Sequence, residues 1–509
     1  MATTTPKQRQ LARALTRLKA LQDAGGQVYR STEFKRSELT ALVDAGFLQM
    51  VVKGWYIASV PGAAPADTTP WHAAMRAFLS GYCDQRFGET WHVAPGYSVQ
   101  LHAGATTTPS QVIVHTPEGN NQKLELPGGC SLVAYQAREW PAADQIERVD
   151  GVRVLSLPAA LARVPERFFR TSPTDAQIAL AQLRDASDLN RILLEGNHRT
   201  AAGRLAGALR AIGRADMAND VRASLQAAGH VVTEVNPFTV EVHVLNRSRA
   251  VSPYVQRMQL MWWEMRPAVE SIVPPAPGLP AASAPYLQTM EEVYRTDAYH
   301  SLSIEGYRVS DELIQRVATG AWDPKRHAGD ADARNAMAAH GYWRAFNSVK
   351  ASVQRILAGE DAAAVVARDH GAWYRQLFGP SVEAGLLRAG DLAGYRNAPV
   401  YIKNATHVPP SSDAARDMMP VLFELLGAEP HAGVRAVLGH FLFVFVHPYM
   451  DGNGRMGRFL MNTMLASGGY PWTIIRVERR ADYMAALDAA SARGDIAPFA
   501  EFIASSIRA

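Results

Sequence analysis

His447-Pro448-Tyr449-Met450-Asp451-Gly452-Asn453-Gly454-Arg455-Met456-Gly457-Arg458 brings a base, a hard carboxylate, a glycine-rich turn and two arginines into twelve residues. The preceding run, Gly433 to Tyr449, places Val434, Leu438, Phe441, Leu442 and Phe445 at helical spacing, with enough extra apolar residues for a helix buried on most sides. Pro448 should end it. Asp-Gly-Asn-Gly then reads as a turn, because Gly and Asn tolerate left-handed backbone angles. A second helix is expected from near Arg455 to Gly468-Gly469. Free N–H groups at a helix start attract phosphate. Arg455 and Arg458, three apart, share a helix face, and their planar forks suit phosphate oxygens. Asp451 is an oxygen ligand suited to Mg²⁺ carried in with a nucleotide. His447, with an ordinary pKa of about 6.5, can act as a general base. Each residue alone has a structural use; the combination points to chemistry on a metal-bound polyphosphate.

Three more segments matter. Ser301-Leu302-Ser303-Ile304-Glu305-Gly306 lies upstream; Gly394-Tyr395-Arg396 leads through Val400-Tyr401-Ile402 to Pro409-Pro410; Arg480-Ala481-Asp482-Tyr483 lies downstream. With the central stretch, and in this order, they resemble the Fic family, enzymes that mostly transfer AMP from ATP to protein hydroxyls. The family pattern is His-Pro-Phe-x-Asp/Glu-Gly-Asn-Gly-Arg-x-x-Arg; this chain departs at Tyr449, which keeps the ring and adds a hydroxyl. The resemblance covers roughly the last half of the chain, from about Ser252.

The resemblance implies that His447 deprotonates the target hydroxyl and Asp451 holds Mg²⁺. Gly452, Asn453 and Gly454 would cradle the α- and β-phosphates, Arg455 the outer phosphates and Arg458 the γ-phosphate. Ser301, Glu305 and Gly306 would form the inhibitory motif, with Glu305 pairing with Arg458 and competing with the γ-phosphate. Val400, Tyr401 and Ile402 would belong to a hairpin flap that docks the target by strand addition. Tyr483 would border the adenine, although a tyrosine on a helix face is as often core.

At 509 residues, two or three domains are expected. Hydrophobic content of 48% and charged content of 20% are ordinary for a soluble globular protein. A net charge of +4 does not by itself indicate nucleic-acid binding, but allows a local basic patch. Cys83 and Cys130 are the two cysteines; neither a zinc site nor a disulfide scaffold is suggested. With no signal-peptide core near Met1 and no apolar run long enough to cross a bilayer, the expectation is a cytoplasmic protein with no membrane partner.

The N-terminal half reads as α+β. A helix is expected from Lys7 to Ala24, with Leu11, Leu15, Leu18 and Leu21 on one stripe, then a second over Glu38 to Ala45 and a hairpin over Phe47 to Ile57 turning at Lys53-Gly54. This order suggests a winged helix-turn-helix. Up to Val60 there are nine Lys and Arg against four Asp and Glu, a net +5. Lys35, Arg36 and Lys53 would sit near the recognition helix and wing, in reach of DNA phosphates. The segment Leu42 to Ser59 resembles the winged-helix heads of abortive-infection antitoxins and related transcriptional regulators; winged-helix readers often dimerise, which leaves a homodimer open. Short strands are expected at Thr90–Val93, Gln111–Thr116, Lys123–Leu126, Cys130–Tyr135 and Val152–Val154, and helices at Trp71–Cys83, Pro158–Val164, Asp175–Asp185, Asp188–Gly196 and His198–Ile212. His92, His102 and His115 read as structural histidines. The expected fold is therefore multidomain: a winged helix-turn-helix at 1–62, an α+β antitoxin-like body at 63–246, and a mainly α-helical Fic domain at 247–509. A junction is expected near Arg247 to Ser252, and Val273 to Pro280 reads as a Pro-rich loop.

The leading expectation is a protein adenylyltransferase that uses ATP and Mg²⁺, is restrained by Glu305, and is joined to a DNA-binding module. Removal of AMP, a different nucleotide donor, and a nucleotide-sensing transcription regulator stay open, since the phosphate cradle is base-blind and one carboxylate serves either direction of transfer.

Overall fold

A computed structural model of the chain describes residues 5–62, 67–240, 242, 252–320, 333–403 and 405–508. The chain forms two compact units, Met1–Pro253 with Tyr401–Val408, and Tyr254–Val400 with Pro409–Ala509. The junction expected near Arg247 to Ser252 lies, apart from Ser252, outside the described residues.

In the first unit, α1 (Pro6–Asp23) is started by a reciprocal cap: Gln8 N–H donates to Thr5 Oγ1 and Thr5 N–H to Gln8 Oε1. Its leucine stripe packs with Tyr29, Phe34, Leu42 and Leu48 in a small core. Strand β1 (Val28–Arg30) precedes α2 (Arg36–Asp44), then β2 (Leu48–Val52) and β3 (Trp55–Ala58). The helix α2 starts two residues before the expected Glu38, because the Glu38 carboxylate accepts the Lys35 N–H. The three strands form an antiparallel sheet in the order β1-β3-β2, and the β2–β3 hairpin turns at Lys53-Gly54, where Gly54 has φ +87°.

Next come α3 (Thr69–Phe87), β4 (His92–Val93), α4 (Pro95–His102), β5 (Gln111–Thr116), β6 (Lys123–Glu125), β7 (Ser131–Gln136), β8 (Ile146–Val149) and β9 (Val152–Leu155). The order β4-β5-β7-β6 makes one sheet, parallel only between β5 and β7; β8 and β9 form a separate hairpin. The strand expected at Thr90–Val93 shrinks to two residues because Thr90 closes a turn on the Phe87 carbonyl. Helix α4 was not expected: it buries Tyr97, Ser98, Val99 and Leu101, so it lacks the polar face that makes a helix legible. The buried face of α3, including Trp71, Phe78 and Leu79, packs on this sheet. Helices α5 (Leu157–Arg163), α6 (Arg167–Thr171), α7 (Pro173–Gln182), α8 (Ser187–Glu195), α9 (Arg199–Ala211) and α10 (Ala215–Ala227) enclose a separate Ala- and Leu-rich core. His92 Nδ1 meets the Val93 carbonyl and His102 Nε2 the Leu155 carbonyl.

The excursion Tyr401–Val408 belongs to this first unit. His407 bridges Thr107, Val408 N–H donates to Thr106 O at 2.8 Å, and His407 Nδ1 lies 3.0 Å from Thr106 Oγ1. The strand expected over Val400, Tyr401 and Ile402 is not formed. An isolated antiparallel bridge forms only past it, where the Thr106–Thr108 backbone offers partners.

The second unit is helical: α11 (Pro253–Ile272), α12 (Ser283–Ile304), α13 (Asp311–Ala318), α14 (Ala333–Leu357), α15 (Ala362–Glu383), α16 (Ser412–Ala428), α17 (Ala432–Val446), α18 (Asn453–Ala466), α19 (Arg480–Arg493) and α20 (Ala497–Ile507). Side chains of Ser310, Asp361 and Ser411 cap α13, α15 and α16. Helix α17 is buried along nearly its whole length, which holds it rigidly at about 1.5–3 kcal/mol per large apolar side chain. The Pro-rich loop is tied down, with Gly278 N–H donating to Gly468 O and Tyr470 Oη donating to Pro274 O. Among the described residues no helix is long and apolar enough to cross a membrane.

Candidate active site

Helix α17 ends at Val446, just ahead of the Pro448 expected to end it. His447 itself turns the chain, with left-handed angles of φ 53° and ψ 59° that a non-glycine residue adopts only when its surroundings insist. Arg396 supplies the insistence. Its guanidinium, 1% exposed, donates from Nε to His447 O at 2.8 Å, from Nη1 to Ala398 O at 3.2 Å, and from Nη2 to Pro410 O; its own N–H donates to Pro448 O. Asn453 closes the other side: its amide donates to Tyr449 O and accepts Tyr449 N–H, both at 2.9 Å. Tyr449 keeps the packing role of the expected ring, stacked on Tyr374 with centroids 3.9 Å apart.

His447 Nδ1 lies 3.0 Å from the Val444 carbonyl. A carbonyl only accepts, so Nδ1 carries the proton and Nε2 keeps its lone pair. Burial is the largest influence on this imidazole and lowers its pKa; the Val444 contact works the other way, and Arg396 lowers it further. The side chain is neutral at pH 7, as a general base must be.

Helix α18 begins at Asn453, two residues ahead of the expected start, from a left-handed Gly452 (φ 77°) where a Cβ would strike the Phe378 ring at 2.7 Å. Its first N–H groups have no acceptor within the helix. Asp451 accepts the Gly452 N–H at 2.6 Å through Oδ1, while its side chain is 64% exposed and Oδ2 is 3.9 Å from Arg455. No cluster of three acidic, His or Cys groups able to hold a metal exists among the described residues. One open carboxylate beside the free N–H groups of a helix start would suit Mg²⁺ that arrives on a nucleotide and keeps its remaining ligands from phosphate and water.

Arg455 and Arg458 are 1% and 4% exposed. Arg458 donates from Nε to Ser301 Oγ at 2.9 Å and from Nη2 to Ser301 O at 3.0 Å and Glu305 Oε1 at 2.8 Å, while Nη1 has no partner among the described residues. Glu305 follows α12 directly, and its Oε1 lies 2.3 Å from where a Cβ on Gly454 would be. Only glycine at 454 leaves room for that carboxylate over the α18 N-terminus. Burial raises the Glu305 pKa, but Arg458, Arg455 and the Arg458 hydrogen bond outweigh it and the net shift is downward. Gly306, at φ 86°, turns the chain away.

Beneath this pair, Asp297 on α12 is buried and accepts from Tyr342 Oη at 2.7 Å; burial first of all raises its pKa to about 6. Tyr483, expected either to border the adenine or to be core, lies on α19 within electrostatic reach of Arg458 and Glu305. It is 1% exposed, shares a 2.7 Å hydrogen bond with His440, and packs against Phe499 and Phe502. Its place on the apolar face of α19 makes it core. Val400 precedes the excursion, Tyr401 is 38% exposed and Ile402 follows without strand pairing. In the first unit Lys35 and Arg36 begin α2, Lys53 tips the β2–β3 turn, and all three are exposed.

The structure brings His447, Asp451, Arg455, Arg458, Ser301 and Glu305 to one helix start and adds Arg396, to which sequence reading gave no part in the turn. No periodicity links Arg396 to a turn 51 residues away.

The Fic/DOC family model matches residues 368–465. A protein of Nematostella vectensis named protein adenylyltransferase Fic is 30% identical over 230 residues, which is 44% of this chain and 50% of that protein. The protein of the same name from Drosophila grimshawi is 40% identical over 114 residues, 22% of this chain and 23% of that one. The chain therefore spans half or less of the length of the curated relatives it matches. Among solved structures, Fic-1 (residues 134–508) of C. elegans is 19% identical, with 69% of this chain and 88% of that one covered and a TM-score of 0.34. The similarity to the Fic/DOC family is carried by residues 368–465 of this chain.

Proposed function

We propose that this chain is a protein adenylyltransferase that moves AMP from ATP to a protein hydroxyl and is restrained by its own Glu305. The observation that carries the reading is the convergence of the His447 lone pair, Asp451 and the two buried arginines on the start of α18, with Glu305 seated on Arg458. In the reaction, His447 Nε2 takes the target hydroxyl proton, the oxygen bonds to the α-phosphorus, and the bond from that phosphorus to the bridging oxygen breaks to release pyrophosphate. Backbone N–H groups of Gly452 to Arg455 and the two guanidiniums bind and orient the phosphates. Mg²⁺, held by Asp451 when bound, neutralises phosphate charge. The names of the relatives support transfer of AMP as the activity.

The restraint follows from electrostatics. A carboxylate on Arg458 occupies the guanidinium that the γ-phosphate needs, so ATP is either kept out or held badly posed. The test is transfer of label from α-³²P-ATP by the full chain. Glu305→Gly is expected to raise labelling of the chain or a partner well above the parent, and adding His447→Ala to abolish it. No gain in the single variant defeats the inhibitory assignment; loss of label from a pre-modified target instead favours AMP removal by the same site.

A DNA-binding role for the N-terminal region is the accompanying proposal, with domains at 1–62, 63–246 and 247–509. It is supported by the β2–β3 hairpin that follows α2 and pairs with β1, the net +5 up to Val60, and the exposed Lys35, Arg36 and Lys53. Retardation of DNA fragments by the full chain at two salt concentrations tests it.

A further inference from the structure

Two residues beyond Glu305 stands Tyr307. Its ring lies 5.1 Å from the guanidinium carbon of Arg455, and the Phe378 ring on α15 lies 5.0 Å from the same carbon. Arg455 is almost wholly withdrawn from water, its Nε has no hydrogen-bond partner among the described residues, and Asp451 approaches it only to 3.9 Å. A buried guanidinium so short of acceptors is held in place by ring faces rather than by hydrogen bonds. Arg334, at 5.5 Å from the Tyr307 ring, and the Arg308 N–H bonded to Asn335 Oδ1 at 3.1 Å fix the tyrosine in turn against α14.

We propose that Tyr307, with Phe378, positions Arg455 for the outer phosphates of the nucleotide, so that the single turn closing α12 addresses both arginines. This rests on the reading of Arg455 as a phosphate ligand. Glu305 withholds Arg458, whereas Tyr307 keeps Arg455 aimed. Residues two apart in the chain therefore act on nucleotide binding with opposite sign: loss of the carboxylate frees a phosphate ligand, and loss of the ring lets one wander. Tyr307 is a positioning residue, working through Arg455.

The experiment uses the full chain carrying Glu305→Gly, with Tyr307→Ala, Tyr307→Leu or Tyr307→Phe added. ATP–Mg²⁺ affinity is read by calorimetry, KM and kcat by transfer of AMP, and folding by thermal melting. Tyr307→Ala and Tyr307→Leu are expected to weaken ATP binding and raise KM by roughly tenfold, about 1.4 kcal/mol, while kcat moves less than threefold. Tyr307→Phe, which keeps the ring face, is expected to stay within twofold of the parent. ATP binding unchanged in Tyr307→Ala, or equal loss in Tyr307→Phe, overturns the proposal, and so does full retention in Tyr307→Leu, which keeps bulk without a π face. A Glu305→Gly parent that binds ATP but transfers nothing defeats the transferase reading and leaves the calorimetric comparison to decide the clamp. A parent that binds no ATP defeats both.

Discussion

Glu305 Oε1 sits 2.8 Å from Arg458 Nη2 and fills the space that only a glycine at 454 leaves open. One carboxylate oxygen thus lies where an anion would enter the start of α18. Glu305→Gln keeps the size but removes the charge. The loss of a charge-assisted bond, about 1.5–3 kcal/mol, should raise AMP transfer by roughly ten- to a hundredfold, short of the Glu305→Gly gain. Ser301→Ala removes a neutral acceptor and should give about fivefold, from ~1 kcal/mol. Initial rates with labelled ATP order the variants; Ser301→Ala exceeding Glu305→Gln would refute the charge argument.

Arg396 serves the His447 turn from a distance in sequence. Arg396→Met keeps a long chain but strands the carbonyls of His447 and Pro410. The expected cost is about 3 kcal/mol, read by urea unfolding, together with a fall in transfer as the left-handed turn relaxes. Undiminished stability would show that these carbonyls find other donors.

The pH profile follows from His447. Its lowered pKa leaves the base free at neutral pH. The acid limb of kcat/KM should therefore fall at a pH below the ordinary histidine midpoint of about 6.5, with no loss between 7 and 8. A midpoint above 6.5 contradicts the buried, carbonyl-bonded imidazole.

Asp297 sets an opposite dependence on stability. Its folded pKa of about 6 exceeds the unfolded value of about 3.9, so the folded form binds the proton more tightly. That contribution is fully present below pH 4 and is lost as pH rises through 6. Asp297→Asn should thus stabilise the chain above pH 7, by about 1–3 kcal/mol, and much less at pH 4.5. Melting temperatures at the two pH values provide the check.

For the N-terminal region, Lys53→Ala should weaken DNA binding evenly across sequences and reduce the log–log salt slope by about 0.9, the share of one phosphate contact. An unaltered slope would place Lys53 off the DNA.

The turn after α17 was legible because its residues announce backbone demands: Pro448 bars the helix from continuing, Gly452 takes a positive φ, and the apolar run of α17 permits only a buried helix. The carboxylate–arginine pairing was legible only through family likeness, because 153 residues separate Glu305 from Arg458 and no local pattern crosses that gap. The place of Tyr483 was left open because a helical tyrosine looks the same from sequence whether its hydroxyl meets a base or His440. The expected flap strand failed for a related reason. Alternation over three residues fixes no partner, and the available partner, the Thr106–Thr108 backbone, lies some 300 residues away. Helix α4 was hidden because none of its residues is fully exposed, which leaves no clear polar face.

The pairing of His407 and Val408 with Thr106 and Thr107 bears on how the protein can be dissected. A fragment expressed from residue 254 onward would carry Thr406, His407 and Val408 cut off from their partners at Thr106 to Thr108, with His407, 2% exposed in the intact chain, laid bare to solvent. Such a piece invites proteolytic nicking at that stretch. The complementary piece, ending at 253, would present an unpaired edge at Thr106 to Thr108, ready to recruit backbone from a neighbour. Mixing the two pieces should restore resistance to protease at that stretch, as in enzymes reassembled from complementary fragments.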